Sequence, residues 1–302
     1  MIGVKAHLPS GHTILPTLFS SEAPTEGEPM SYRSILVNLD IDGPILPVVK
    51  AASDLAGRFG AKLIGFCAAD APMPMAGPAG ASLAAEAWMQ MRDDIQTRFK
   101  DLHEEFGKLI AGKVVTEWRE ALDNPTRALA EATRAADLVV MGAVKGAATG
   151  DAYRRADPGS IALQAGRPLL VVAHHAEQVR ARNIAVAWKD TREARRALAD
   201  SLPLLKAAET VTVVTVSTEV DQRVRASLAD VMAFLGAHGI EARPELTEGP
   251  DEHLALFEVL DNSGADLIVS GAYGHSRLRE WAFGGVTRSL LDETGRNRFL
   301  SS

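Results

Sequence analysis

Short runs of consecutive apolar residues alternate along this chain with longer segments in which apolar residues recur every three or four positions. The runs are continuous, as strands covered on both faces require, and they read ILVNL, LIGF, LVVM, LLVV, IAVAW, VTVVTV and LIV. The longer segments predict helices with one buried face; their apolar positions include Trp88, Met91, Ile95, Phe99, Leu102, Phe106, Val224, Leu228, Val231 and Leu235. Strands that alternate with helices favour an α/β fold, with a parallel sheet and helices on both of its faces.

The pattern occurs twice. The segment ADLVVMGAVKG (136–146) matches ADLIVSGAYGH (265–275), and SILVNLD (34–40) parallels NIAVAWK (183–189). A repeat of this length indicates a duplicated domain, because solenoid units are only about 20–50 residues long. We therefore expect a first domain at 31–175, a linker at 176–182 and a second domain at 183–302.

Residues 1–30 differ from the rest of the chain. They mix Pro, Gly, Ser and Glu without a helical or strand period, so we expect a disordered leader. Met30 stands directly before the first predicted strand. One hypothesis is therefore that translation begins there and that the leader is not native.

Composition narrows the possible partners and compartments. The formal net charge of −7 disfavours nucleic acid as a partner, and no apolar run approaches the ~20 residues that span a membrane. The single cysteine, Cys67, lies in an apolar run and is predicted to be a core residue, which fits a reducing compartment such as the cytoplasm. No catalytic motif and no metal-binding motif is present, so we predict no catalytic residues and no metal ligands. Slow ATP hydrolysis remains open, because positioning and charge dominate phosphoryl transfer.

The candidate chemistry lies in GAYGHSRLREWAFGGVT (271–287), between the predicted strand LIV and a predicted helix. Ligands of open parallel sheets bind beyond the carboxyl ends of the strands. Glycines there can adopt a positive φ and let backbone N–H groups close around an anion, and the free N–H groups of a following helix favour phosphate. The stretch is therefore interpreted as a phosphate cradle, although glycine pairs in a loop also fit simple turns.

The spacing Gly271-x2-Gly274-x9-Gly284, followed by Val286 and Thr287, resembles the nucleotide-binding signature of the universal stress protein family, and the duplication is similar to that of its tandem members. The resemblance covers about 31–302. It implies two doubly wound domains, each a five-stranded parallel sheet of order 3-2-1-4-5, a tendency to form dimers and a cytoplasmic role in the stress response. It also implies an adenine nucleotide (ATP or ADP, with or without Mg²⁺) in the second domain. The implied phosphate contacts are Gly271, Gly274, Gly284, Gly285, Val286 and Thr287.

Each domain keeps a different half of the family's site. The Asp that follows the first strand in the family is Asp40 in domain one, whereas Lys189 stands there in domain two. Domain one retains Gly142 but lacks the regular glycine spacing, and we match only Gly159 and Ser160 to the final element. The candidate nucleotide contacts therefore also include Lys189, Asp40, Gly142 and Ser160. The alternative hypothesis is a scaffold that binds no nucleotide and acts through dimerisation or protein contacts.

The last apolar run differs between the domains in a way that bears on assembly. Domain one ends in RPLLVV, whereas the matching segment of domain two is the more polar RNRFLSS. The resemblance implies pairing through this last strand, which the polar sequence is expected to weaken. Assembly is therefore expected to be either a homodimer or an internal pseudo-dimer of the two domains.

Overall fold

The computed structural model describes residues 31–75, 77, 80–143, 151–174, 176–272, 285–293 and 295–302, with only the backbone of 285 and 286. The leader, 1–30, and its expected disorder lie outside the described residues. The first half contains β1 (Ser34–Leu39), α1 (Leu46–Phe59), β2 (Lys62–Ala68), α2 (Ala81–Ile110), β3 (Thr116–Ala121), α3 (Pro125–Ala132), a 3₁₀ turn (Thr133–Ala135), β4 (Leu138–Gly142), α4 (Pro158–Gln164) and β5 (Leu169–Val172). The second half contains β6 (Asn183–Ala187), α5 (Arg192–Lys206), β7 (Thr210–Ser217), α6 (Gln222–Ala237), β8 (Ala242–Glu248), α7 (Glu252–Asn262), β9 (Leu267–Gly271), α8 (Gly285–Asp292) and β10 (Asn297–Ser301).

The ten described strands form one sheet in the order β3-β2-β1-β4-β5-β10-β9-β6-β7-β8. Each half has the order 3-2-1-4-5, and its described strand pairs are parallel. The prediction of two doubly wound α/β domains is confirmed. The halves meet where β5 and β10 pair antiparallel around Leu170 and Phe299, so the two domains form an internal pseudo-dimer.

Helices cover both faces of the sheet. The buried apolar residues of α1, α2, α5 and α6 form one core cluster, and those of α3, α4, α7 and α8 form the other. Each cluster contains residues of both halves, so apolar packing continues across the β5–β10 seam. Cys67 is fully buried in the first cluster, as predicted.

The polar last strand, β10, does pair, contrary to the weakening that its sequence predicts. All five of its residues are buried, because most of its polar side chains find partners at the seam. The Asn297 Oδ1 atom accepts a hydrogen bond from Ala173 N at 3.0 Å, and Ser301 Oγ donates to an Asp200 carboxylate oxygen at 2.7 Å. Arg298 is only partly satisfied: it is fully buried, its Nη1 atom donates to Arg296 O at 2.6 Å, and its Nε and Nη2 atoms have no hydrogen-bond partner in the described structure.

The two edge strands, β3 and β8, have no apolar run in the sequence. Their sequences, TEWREA and ARPELTE, are polar, and most of their residues are partly or fully exposed. Charged side chains and a proline are typical of edge strands, since they oppose further strand pairing. Continuous apolar runs therefore mark the inner strands other than β10 and do not mark β3 or β8.

Candidate nucleotide site

The strand register matches the two halves residue by residue. Val139 pairs with Leu169 between β4 and β5, and Ile268 pairs with Arg298 between β9 and β10. The difference in residue number between Val139 and Ile268 equals that between Leu169 and Arg298. One constant offset in residue number therefore relates the two halves, both before and after the glycine-bearing segment. The resulting equivalences are Gly142 with Gly271, Lys145 with Gly274, Arg155 with Gly284, Ala156 with Gly285, Asp157 with Val286, and Ser160 with Ser289.

The register also matches the first strands of the two halves. Ile35 in β1 and Ile184 in β6 occupy the same position against β4 and β9. Counting forward from these two residues makes Asp40 and Lys189 equivalent, as the sequence comparison expects. The match of Gly159 and Ser160 to the final glycine element does not agree with the register. The register makes these two residues equivalent to Arg288 and Ser289, which follow that element in the chain.

In domain one, arginines of the chain itself occupy the carboxyl end of the sheet. Arg155, at the position of Gly284, forms an ion pair with the carboxylate of Asp40. The neighbouring Arg154 binds Asp42 through two nitrogens, one of which, Nη2, donates to Oδ1 at 2.8 Å. Asp40, which matches the aspartate of the family's nucleoside contact, is thus already neutralised by Arg155 within domain one. Arg155 was not predicted from the sequence, although the constant spacing between the two repeats was the signal that could have identified it.

Two carboxylates at this end of domain one, those of Asp40 and Asp157, are held by partners within the chain. Burial raises the pKa of Asp40, and Arg155 is the main influence that lowers it. The carboxylate of Asp157 caps α4, since Oδ2 accepts a hydrogen bond from Ser160 N at 2.7 Å. A fixed negative charge therefore lies at the helix N-terminus that would otherwise attract an anion.

Gly271 in domain two has a packing role. A Cβ atom there would lie 2.5 Å from Ala194 N and 2.6 Å from the carbonyl carbon of Glu193, whereas a Cβ atom at Gly142 would have nothing within 4 Å. Gly271 does not have the positive φ that the sequence interpretation allows for it. Its missing side chain lets α5 begin directly against the end of β9, and its predicted phosphate contact stays a prediction.

The remaining residues of the domain-two site are partly described. The Nζ atom of Lys189, whose side chain is 56% exposed, donates to a carboxylate oxygen of Glu252 at 2.6 Å. Thr287 is buried in α8, which begins at Gly285. The segment 273–284, with Gly274 and Gly284, lies outside the described residues, and for Val286 only the helical backbone is described.

Two contacts that the sequence did not predict position the helices around this site. His253, in the first turn of α7, has its Nε2 atom 2.6 Å from the hydroxyl of Ser289 in α8. Thr191 caps α5 by accepting a hydrogen bond from Ala194 N at 3.2 Å. Helices α5, α7 and α8 therefore converge on the carboxyl ends of β6 and β9.

Two features are absent from the described residues. No group of three or more His, Cys, Asp and Glu side chains there is arranged to hold a metal ion. Within the same ranges, no helix combines the length and apolarity that crossing a bilayer needs.

These features define a two-domain, doubly wound α/β protein whose halves share one continuous sheet. A universal stress protein from Archaeoglobus fulgidus DSM 4304 is similar to it, with a TM-score of 0.69 and 15% identity over 89% of this chain and 96% of that one. A functionally unknown protein from Pseudomonas aeruginosa PAO1 gives a TM-score of 0.56 and 17% identity, covering 89% and 92%. A candidate universal stress protein from Pseudomonas aeruginosa UCBPP-PA14 gives 0.57 and 17%, covering 89% and 93%.

The chain therefore has the tandem fold seen in universal stress protein structures, and the expectation drawn from its glycine spacing is confirmed at the level of the fold. Comparison with protein-family models gives no match. Comparison with curated proteins gives none either.

Proposed function

We propose that this protein is a regulatory protein of the universal stress type that binds one adenine nucleotide, ATP or ADP with or without Mg²⁺, in domain two. Domain one serves as its structural partner and binds none. The observation that carries this proposal is the contrast at matched positions: Arg155 and Asp157 occupy the domain-one site, whereas Gly284 and Val286 stand there in domain two.

The contrast matters because a phosphate cradle needs free backbone N–H groups and an approach without side chains. In domain one, an arginine and a capping carboxylate take up these positions. In domain two, glycines stand at 274, 284 and 285, and glycine has no side chain to obstruct the approach of a phosphate to the backbone.

Lys189 supplies the positive charge for this site. Its ion pair with Glu252 is exposed, and such pairs contribute only about 0–1 kcal/mol. Exchanging this partner for a multiply charged phosphate group therefore costs little. We assign Lys189 to the phosphate end of the nucleotide, since an ammonium group donates hydrogen bonds and cannot accept them as the family's Asp does.

Regulation would follow from differential binding. A nucleotide that contacts the segment between β9 and α8 would favour one conformation of it and so one surface for a partner protein. The His253–Ser289 hydrogen bond is assigned to holding α7 against α8, and the proposal assigns no catalytic residue.

Isothermal titration calorimetry with ATP and ADP, with and without Mg²⁺, tests the proposal. We expect one nucleotide per chain for the wild type and at least a tenfold loss for Gly274→Val, because a branched side chain blocks close approach of the backbone. Gly142→Ala, at the domain-one counterpart of Gly271, should bind as the wild type does. Two nucleotides per chain, or equal binding by Gly274→Val, would contradict the assignment to domain two. No binding at millimolar nucleotide would favour the scaffold hypothesis.

A further inference from the structure

A groove lies between α5 and α6 in domain two, whereas the equivalent helices of domain one, α1 and α2, pack against each other. In domain two, α5 lies mainly over β9 and β10, where it begins against Gly271, and this position separates it from α6. The space between the two helices is a cavity of about 350 Å³, within the range of roughly 300–1,000 Å³ that is typical of small-molecule sites.

Apolar side chains form most of this groove. Trp188, which follows β6, is 6% exposed and lines it together with Leu198 of α5 and Val231 of α6. Phe234, one turn further along α6, borders the groove and is 38% exposed. Two aromatic side chains and two aliphatic ones thus surround an opening that solvent can reach.

Polar groups give the groove a negative character. Asp190 and Asp230 both line it. The Asp190 carboxylate is bound by Arg195, whose Nη2 donates at 2.8 Å, whereas the exposed Asp230 carboxylate forms no hydrogen bond or ion pair within the described residues. Asp230 therefore supplies the charge that remains for a ligand.

Ser227 adds a hydrogen-bonding group at a fixed position. Its hydroxyl oxygen accepts a hydrogen bond from Trp188 Nε1 at 3.0 Å, so its own proton remains to be donated. Ser227, Asp230, Val231 and Phe234 follow the i, i+3, i+4, i+7 spacing that places them on one face of α6. A ligand in the groove would therefore contact a single rigid helix face.

We propose that the groove between α5 and α6 binds a small organic cation with an apolar, preferably aromatic, body. The body would lie against Trp188 and Phe234, and the ammonium group would lie near Asp230. Aromatic faces attract cations through the ring quadrupole, and an unpaired carboxylate adds a charge of the right sign. An organic anion of the same shape would meet the same apolar surface but the wrong charge.

The groove adjoins the proposed nucleotide site along the chain, because Trp188 and Asp190 flank Lys189, but it lies on the opposite face of the sheet from α8. Trp188, Leu198 and Val231 belong to the core cluster on one face of the sheet, whereas Leu290 and Leu291 of α8 belong to the cluster on the other. The inference therefore does not depend on nucleotide binding, and the two can fail independently.

Three probes of one shape test the proposal on the full-length protein without nucleotide: 4-phenylbutylamine, 4-phenyl-1-butanol and 4-phenylbutyrate. Affinities come from calorimetry, and the indole N–H signal of Trp188 in NMR reports the place of binding. We expect the amine to bind roughly fivefold more tightly than the alcohol, and the acid to bind most weakly, as one exposed charge pair and a cation–π contact imply. High salt should reduce the preference for the amine.

Variants separate charge from shape. Asp230→Asn should lose the part of the preference for the amine that comes from the charge pair and keep only the part due to the cation–π contact, whereas Asp93→Asn, which removes the same charge from an exposed site on α2, should keep the full wild-type preference. Phe234→Ala should weaken the binding of the amine and the alcohol by similar factors. The proposal is overturned if no probe binds at millimolar concentration, if the three probes bind the wild type equally, or if Asp230→Asn keeps the full wild-type preference.

Discussion

Gly271 and Gly142 form a matched pair that separates packing from ligand binding. They are equivalent in the strand register and neither has a positive φ, so alanine fits the backbone at both positions. A Cβ atom at 271 would lie within 3 Å of two backbone atoms at the start of α5, and a Cβ atom at 142 meets nothing within 4 Å. Because backbone atoms cannot rotate away as a flexible side chain can, α5 must shift in Gly271→Ala.

The expected cost follows from the overpacking of a filled site. Inserted carbons cost about 1–3 kcal/mol, and two backbone contacts place Gly271→Ala in the upper half of this range, at about 2–3 kcal/mol. With a shift of about 2–4 °C per kcal/mol for a large domain, the melting temperature should fall by roughly 4–12 °C. Gly142→Ala should stay within about 0.5 kcal/mol of the wild type or be slightly more stable, because alanine restricts the unfolded chain.

Urea unfolding, followed by circular dichroism in nucleotide-free buffer, measures both variants. If Gly271 served only to admit a phosphate, Gly271→Ala would lose nucleotide affinity and keep its stability. The packing explanation would be refuted if the two alanine variants had equal free energies of unfolding, or if Gly271→Ala were as stable as the wild type.

Three further substitutions test other parts of the structure. Arg298→Leu should raise the free energy of unfolding by roughly 1–2 kcal/mol in urea titrations, since removing two buried donors without partners outweighs the loss of the Nη1 hydrogen bond to Arg296 O; lower stability would contradict this. Tyr32→Phe should lower it by about 1 kcal/mol at pH 7, through loss of the bond to Asp200 O. Burial raises the pKa of Tyr32 in the folded state, so this contribution is complete below the unfolded pKa of about 10 and declines as the pH rises from there toward the folded pKa. Urea unfolding should therefore show a smaller difference between Tyr32→Phe and the wild type at pH 11 than at pH 7. Arg155→Ala should raise the pKa of Asp40 further in a carbon-13 NMR titration, because the guanidinium is the main influence that lowers it; an unchanged pKa would argue against the ion pair.

The inner strands other than β10 could be predicted from the sequence because burial on both faces leaves a continuous apolar run, and the helices could be predicted from their apolar period. The edge strands β3 and β8 leave no such run, since much of their surface faces solvent. The pairing of β10 with β5 was underestimated for a related reason. Polar residues in a buried strand are unfavourable only while their polar groups lack partners. The hydrogen-bond partners of Asn297 and Ser301 come from distant parts of the chain.

The candidate site was predicted less completely than the fold. The glycine spacing indicated the correct edge of the domain-two sheet, and the equivalence of Asp40 with Lys189 agrees with the strand register. The capping of α4 by Asp157 and the ion pair of Arg155 with Asp40 were not predicted, because they depend on which side chains the loop after β4 brings to the end of β1.

The sequence by itself determined the duplication, the α/β class and the position of the glycine-bearing segment after the fourth strand of domain two. These features depend on periodicity and local backbone preferences, which are properties of neighbouring residues. Only the tertiary structure decided that the two domains share one sheet, that α5 lies against Gly271 and apart from α6, and that arginines fill the domain-one site. Each of these depends on contacts between residues far apart in the chain, and such contacts form only when the whole sheet is assembled.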